Sequence, residues 1–382
     1  MNLFLALIVA LTLHGIWNGR RTGVATPTGT ATPSNHATPT NQTTTANPAA
    51  TATHFLSRSQ TNAVNGVFIM IVFASHVTAH YPTTPWSDGG MLWLISQLGQ
   101  LMVACFLLFS GYGMMVSLAS KSGYARTIPR ARIGATLAQF IPITACYLVL
   151  AMIGPEPVSA TYAFFAMFGW FSLANASWYI FAILALWALT WVVFRGAERV
   201  GVWSPGASPA RTWVLVAAFT LVVALFELWM STQKPNQHYT FYSMLCFPAG
   251  MMLALARPAY TRLVVTTPGW LAALTVPLAA TYGLSLVDRP HFFVFGMESI
   301  AFALTIVSVL ARFPLRSRPL EWCGENLFWL YTVQNLPMIV LDRMLGDAGA
   351  RFTYPVLALV ATAALAIVAK RLLAPLGRAV RG

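Results

Sequence analysis

The chain is 382 residues long, 57% hydrophobic and 13% aromatic, with only 9% charged residues and a mean hydropathy of +0.65. A soluble domain carries about 25% charged residues, so this chain cannot cover a water-facing surface. A secreted domain, a cytosolic enzyme and a DNA-binding factor are excluded, and a polytopic membrane protein is indicated. The net charge of +13 does not point to nucleic acid, because the basic residues, twenty of them Arg, stand singly or in small groups between apolar runs. Basic loops at membrane edges account for that pattern. The four cysteines (Cys105, Cys146, Cys246, Cys323) show no C-x-x-C spacing and predict neither disulfides nor zinc.

In chain order, residues 3–17, LFLALIVALTLHGIW, form an apolar run short for a full span. No basic residue precedes it and Arg20-Arg21 follow, an order that suits a short anchor with its N-terminus outside. Residues 1–20 are thus read as an apolar anchor or signal-like segment, with an overlong start as the alternative for all of 1–55. Residues 21–58 are rich in Thr, Ala, Pro and Asn; they cannot bury enough surface to offset the entropy of ordering and predict a disordered linker. Residues 59–375 are the expected membrane domain and 376–382 a basic cytoplasmic tail.

Within that domain, apolar stretches of helix-spanning length fall at about 62–81, 91–118, 133–153, 176–195, 212–230, 241–256, 268–287, 291–312, 325–344 and 353–372. Backbone in hydrocarbon must satisfy its own hydrogen bonds, which makes these helices. The fold class predicted is all-α, a polytopic integral membrane bundle of about ten core transmembrane helices. The aromatic but broken segment 155–175 reads as a re-entrant or interfacial piece. If the first core helix enters from the cytoplasm, only Lys234, Arg289, Arg343 and Arg351 lie outside, and the other nineteen basic residues lie inside. Both core ends are then cytoplasmic.

The first core helix, NAVNGVFIMIVFASHVTAHYP, places His76 in an apolar span. An ionisable group there is a functional-site hypothesis; the alternative is a core histidine bonded to a neighbouring carbonyl. His80 lies one turn further on the same face, at the outer headgroup level. The spacing suits metal ligands, but Val77 follows His76 and no carboxylate completes a zincin motif, so no metal is predicted. Glu298, within the eighth span, has three available roles: pairing with an Arg, orienting His76, or joining helices. Glu227 and Asp342, near span ends, are expected to be solvated. Pro142, Pro248, Pro277 and Pro337 predict kinks.

Several fragments then carry a resemblance. They are Asn65-Gly66 with His76 eleven positions after Asn65, FSGYG at 109–113, Tyr124 with IPRARI at 128–133, WYIFAI at 178–183, LCFPAGM at 245–251 and LFWLYTVQNLPM at 327–338. In this order, over about residues 60–370, they resemble the membrane-bound acyltransferase-3 family, whose members move acyl groups onto sugars. The family's opening motif has a basic residue where Asn65 stands, and many relatives carry His where Gln334 stands.

The resemblance implies a membrane O-acyltransferase of the bacterial inner membrane. It would take acetyl or another short acyl group from cytoplasmic acyl-CoA, acetyl-CoA being the commonest donor, with no permanently bound cofactor. The acceptor implied is a hydroxyl of an envelope or exported polysaccharide or its lipid-linked precursor, and the expected partners are acyl-CoA, the saccharide and the bilayer, with no nucleic acid. His76 is the expected general base, since a sugar hydroxyl needs one near neutral pH. Asn65, Trp178, Tyr179, Gln334 and Asn335 are candidate donors to the oxyanion. Arg130 and Arg132 are the expected donor-binding residues, against the reading that they are topology signals only. Ser110 and Tyr112 of the SGYG stretch are either ligand contacts or a close-packing motif, and Trp178-Tyr179 either line the acceptor cleft or belong to an aromatic belt. A secondary transporter is the rival class; it would show paired halves, and the His76 segment has no counterpart in the second half.

Overall fold

The computed structural model describes residues 1–22, 56–80, 83, 85–154, 157–234, 241–287, 292–345 and 353–382. Among them the regular structure is entirely helical. The elements are α1 (Asn2–Thr22), α2 (Arg58–Val77), α3 (Pro85–Leu98), a 3₁₀ turn (Gly99–Val103), α4 (Ala104–Ser120) and α5 (Tyr124–Ile128). A π-helical turn (Pro129–Gly134) leads into α6 (Ala135–Met152), followed by α7 (Ala160–Ala166), α8 (Trp178–Arg199) and α9 (Pro209–Gln233). A second 3₁₀ turn (Tyr242–Leu245) opens α10 (Cys246–Val265), and α11 (Thr267–Ser285), α12 (Phe292–Arg312), α13 (Arg318–Glu325), α14 (Leu327–Val333), α15 (Asn335–Leu345) and α16 (Thr353–Arg381) complete the chain.

The sequence reading of a polytopic helical membrane bundle holds. Length and apolarity by themselves do not confirm ten spans. Among the described residues, seven helical runs are long and apolar enough to cross a membrane, α1 among them, and the pair Tyr242–Val265 and Thr267–Ser285, bent by 117°, makes an eighth if taken as one. Two expected spans, 62–81 and 325–344, are not among these runs, which are distinguished by length and apolarity alone. Helix α2 carries Gln60, Asn62, Asn65, Ser75 and His76, but most of its residues are buried against other helices, so protein rather than lipid surrounds its polar groups. The 325–344 stretch is divided at Gln334 between α14 and α15. Pro337 lacks the N–H that would bond the Val333 carbonyl one turn back, and the helix breaks there. Pro248 likewise stands in the first turn of α10, where no N–H is needed, whereas Pro142 and Pro277 lie inside α6 and α11.

Two close helix crossings organise the bundle, each made by a reciprocal pair of glycines. A Cβ on Gly111 of α4 would strike the Phe247 carbonyl, and one on Gly250 of α10 would strike the Leu108 carbonyl. Between α2 and α13, Gly66 lies against the Leu320 carbonyl and Gly324 against that of Asn62. Small residues let backbones approach where lipid offers no hydrophobic drive to association. The Gly66 position thereby ties the site helix α2 to the segment that leads into α14.

Helix α1 is longer than its apolar run because Asn18–Thr22 continue it. Its first residues meet α3: the Met1 ammonium lies 2.8 Å from the buried Asp88 carboxylate, and the Met91 N–H donates to Asn2 Oδ1 at 3.2 Å. At its other end the Arg316 N–H donates to the Gly15 carbonyl and Arg20 stacks on Phe313, 4.7 Å from the ring centroid. Most of the predicted linker lies outside the described residues, and Arg58 already opens α2. The segment expected as a basic tail continues α16 as far as Arg381, with Gly377 packed against Gln139. The broken segment before α8 is folded: the Tyr162 hydroxyl donates to the Ser172 carbonyl at 2.8 Å, and Ser177 Oγ donates to that of Phe171 at 3.0 Å.

Candidate active site

Helix α2 borders a cavity toward each of its ends. The cavity at the His76 end has a volume of about 140 Å³. Val72, Ser75 and His76 of α2 line it, with Gly99, Gln100, Met102 and Val103 of the 3₁₀ turn, Trp178 at the start of α8 and Tyr331 of α14. The 3₁₀ turn exists because Gly99 adopts φ +46, a conformation open to glycine, which interrupts the apolar run between α3 and α4. His76 Nδ1 is buried without a partner, and the Asn335 side chain faces the imidazole. Asn335 Nδ2 donates to the Ala174 carbonyl at 2.6 Å, leaving Oδ1 buried and unpaired. Next to it, Gln334 Nε2 donates to the Tyr331 carbonyl at 3.2 Å. The helix break at Gln334 thus precedes the residue, Asn335, whose amide faces the imidazole, while Gln334 itself lines neither cavity.

The second cavity, about 400 Å³, opens at the Arg-rich end. Its lining includes Thr61 and Asn65 of α2, Phe106, Phe109 and Ser110 of α4, Thr136 and Gln139 of α6, Tyr179 and Trp187 of α8, Phe328 and Tyr331 of α14, and Arg381 of α16. Asn65 Oδ1 is buried there without a partner. Beside this cavity, the guanidinium of Arg132 donates twice to the Tyr124 hydroxyl, at 3.0 and 2.9 Å, and lies 5.9 Å from the Trp187 ring centroid. Arg130 Nε donates to the Val380 carbonyl. Both arginines sit on the π-helical turn, a local widening often found at functional sites.

The residues singled out in the sequence therefore separate into groups. His76 and Trp178 share the smaller cavity, with Asn335 facing His76, while Asn65, Ser110 and Tyr179 share the larger one. Tyr112 belongs to neither; its hydroxyl faces Arg257, and within the SGYG stretch Ser110 lines the cavity while Gly111 makes the helix crossing. Glu298 is buried on α12 and lines neither cavity. Glu227 corrects the expectation of a solvated carboxylate: it is fully buried, and its Oε1 accepts the Leu245 N–H at 2.9 Å, capping the entry to α10. Asp342 is half-exposed, 3.7 Å from His80 Nδ1.

Sequence reasoning missed Gln100, Gln139, Arg381 and Tyr331 as lining residues. Gln100 and Gln139 had a signal, each being an amide within an apolar run; Arg381 and Tyr331 had none, because an arginine near the end of a basic segment and a tyrosine among aromatics look like topology and packing. Among the described residues, no three His, Cys, Asp or Glu side chains are gathered to hold a metal ion, and the four cysteines are free thiols.

The described residues thus form a helical membrane bundle with a histidine facing one cavity and an arginine in the lining of another. The chain belongs to the acyltransferase-3 family, whose model, described as an acyltransferase domain, matches residues 62–371. No curated protein matches the chain, and no solved structure does.

Proposed function

We propose that this membrane acyltransferase moves an acetyl or other short acyl group from acyl-CoA on the cytoplasmic side to a hydroxyl of an envelope or exported polysaccharide, or of its lipid-linked precursor. The observation that carries the reading is the pair of cavities along α2: one opens among arginines, the other holds His76, and Tyr331 borders both. The larger cavity falls in the size range of ligand sites and offers Ser110, Asn65 and Gln139 to the amides of a pantetheine arm. Arg381, with Arg130 and Arg132 beside it, suits the CoA phosphates. The charge asymmetry supports a cytoplasmic Arg-rich end, with His76 then toward the outer face, and the location that goes with this reading is a bacterial inner membrane.

His76 acts as general base. The acceptor oxygen attacks the thioester carbonyl as the imidazole takes its proton; the tetrahedral oxyanion collapses, the C–S bond breaks, and the imidazolium returns the proton to the leaving thiolate. Trp178 Nε1 and the Gln100 amide are donors of the right type for the oxyanion. Asn335, whose side chain faces the imidazole, is suited to orient it, with its Oδ1 an acceptor for an imidazole N–H. The test compares cell-surface glycans from strains with and without the gene by mass spectrometry, alongside acetyl-CoA binding to the purified protein. A mass increment of one acyl group that depends on the gene supports the reading. Identical glycans together with no acetyl-CoA binding would sink it.

A further inference from the structure

Acyl transfer across this site has a geometric difficulty. The donor cavity and the His76 cavity are lined by different residues, and Tyr331 is the one residue common to both linings. Its ring is the last of three edge-to-face aromatics. Phe106 and Tyr179 have centroids 6.0 Å apart with planes at 75°, and Tyr179 and Tyr331 are 5.4 Å apart at 63°. All three are buried. The consecutive residues Trp178 and Tyr179 face opposite sides of this wall, one in each cavity.

The wall is anchored from the outer loop. The Tyr331 hydroxyl donates to the Ala176 carbonyl at 2.7 Å, and one helical turn later Asn335 Nδ2 donates to the Ala174 carbonyl. Ala174 and Ala176 have φ of 63° and 47°, a region that residues with a Cβ rarely occupy. One loop therefore fixes both the wall residue and the amide that faces His76.

We propose that Tyr331 is a gate between donor and acceptor compartments, and that it determines both acyl-chain length and the exclusion of water from the thioester. The inference rests on the acyl-transfer reading above. A thioester carbonyl coming from the donor side meets His76 only by passing this ring, and the roughly threefold smaller space beyond it (about 140 against 400 Å³) admits a short acyl group beside an acceptor hydroxyl. With the ring in place, water on the acceptor side does not reach the thioester, which suppresses hydrolysis. With the ring removed, water replaces the acceptor. Its oxygen forms the new C–O bond, the C–S bond breaks, and one water proton passes through His76 to the CoA thiolate.

The experiment follows CoA release from acetyl-CoA and hexanoyl-CoA by the purified full chain without any saccharide, and scores glycan acylation in cells carrying the same variants. Tyr331→Ala is expected to raise saccharide-free CoA release by about tenfold or more, to raise the hexanoyl-to-acetyl ratio, and to lower glycan acylation. Tyr331→Phe, which keeps the ring and loses the Ala176 bond, is expected to slow transfer with little hydrolysis. The added hydrolysis is expected to disappear in Tyr331→Ala with His76→Ala. If Tyr331→Ala does not accumulate, Phe106→Ala opens the same wall and carries the same expectation. Hydrolysis and chain-length ratio unchanged in a folded variant, with wild-type glycan acylation intact, overturns the gate alone. A wild-type chain that neither binds acetyl-CoA nor acylates glycans overturns the functional reading and the gate together.

Discussion

At the scale of single residues, His76 and His80 lie one turn apart and differ in what surrounds them. His76 has its Nδ1 buried and unpaired, whereas His80 reaches the half-exposed Asp342 at 3.7 Å. General-base catalysis is worth roughly 100- to 10,000-fold, so His76→Ala is expected to remove acyl transfer on that scale while the protein still accumulates in the membrane. His80→Ala is expected to have a much smaller effect. Near wild-type transfer by purified His76→Ala would exclude this base. On the donor side, Arg132→Ala is expected to weaken acetyl-CoA binding without impairing insertion, because a guanidinium fork is lost, and Lys at the same position is expected to restore it only in part. Calorimetric affinities equal to wild type in Arg132→Ala and Arg381→Ala would mark both as topology signals. At the basic end, burial pushes the Cys323 thiol up to about 11. Only the thiolate reacts, so its maleimide labelling should be slow at pH 7 and rise with pH until about 11; fast labelling at pH 7 would mean that α13 is not packed as described.

At the scale of elements, the glycine crossings give a contrasting pair of substitutions within one motif. Gly111→Ala drives a methyl group into the Phe247 carbonyl, while Gly113, two residues on, has open space where its Cβ would lie. Overpacking at Gly111 is expected to cost about 1–3 kcal/mol, whereas Gly113→Ala is expected to be neutral or to stabilise by up to about 1 kcal/mol through helix propensity. Thermal unfolding in detergent followed by tryptophan fluorescence separates them, and equal melting temperatures would contradict the α4–α10 packing. The same scale shows what sequence could not supply. Two helix breaks, at Gly99 and Gln334, bring Gln100 and Asn335 to the His76 region. Pro337 and Gly99 announce that helices are interrupted, but the partners that meet at the interruptions come from residues far apart in the chain.

At the scale of the whole molecule, the proposed orientation makes a direct prediction. A reporter fused after Gly382 is expected to behave as cytoplasmic, and a periplasmic signal there would invert the placement of both cavities. Much of this scale was determined by the sequence alone: 57% hydrophobic and 9% charged residues permit only a membrane solution, and backbone hydrogen bonding in hydrocarbon makes that solution helical. The sequence also singled out His76, because an ionisable group in an apolar run is costly and therefore visible without a structure. Only the tertiary structure decided that Asn65 and His76, eleven residues apart on one helix, serve different cavities, that Tyr112 and Glu298 serve neither, and that Tyr331 borders both. Local pattern reports which residues are expensive to bury. Which space each side chain enters depends on helix breaks and close crossings between distant segments, and those are set by packing that no local pattern encodes.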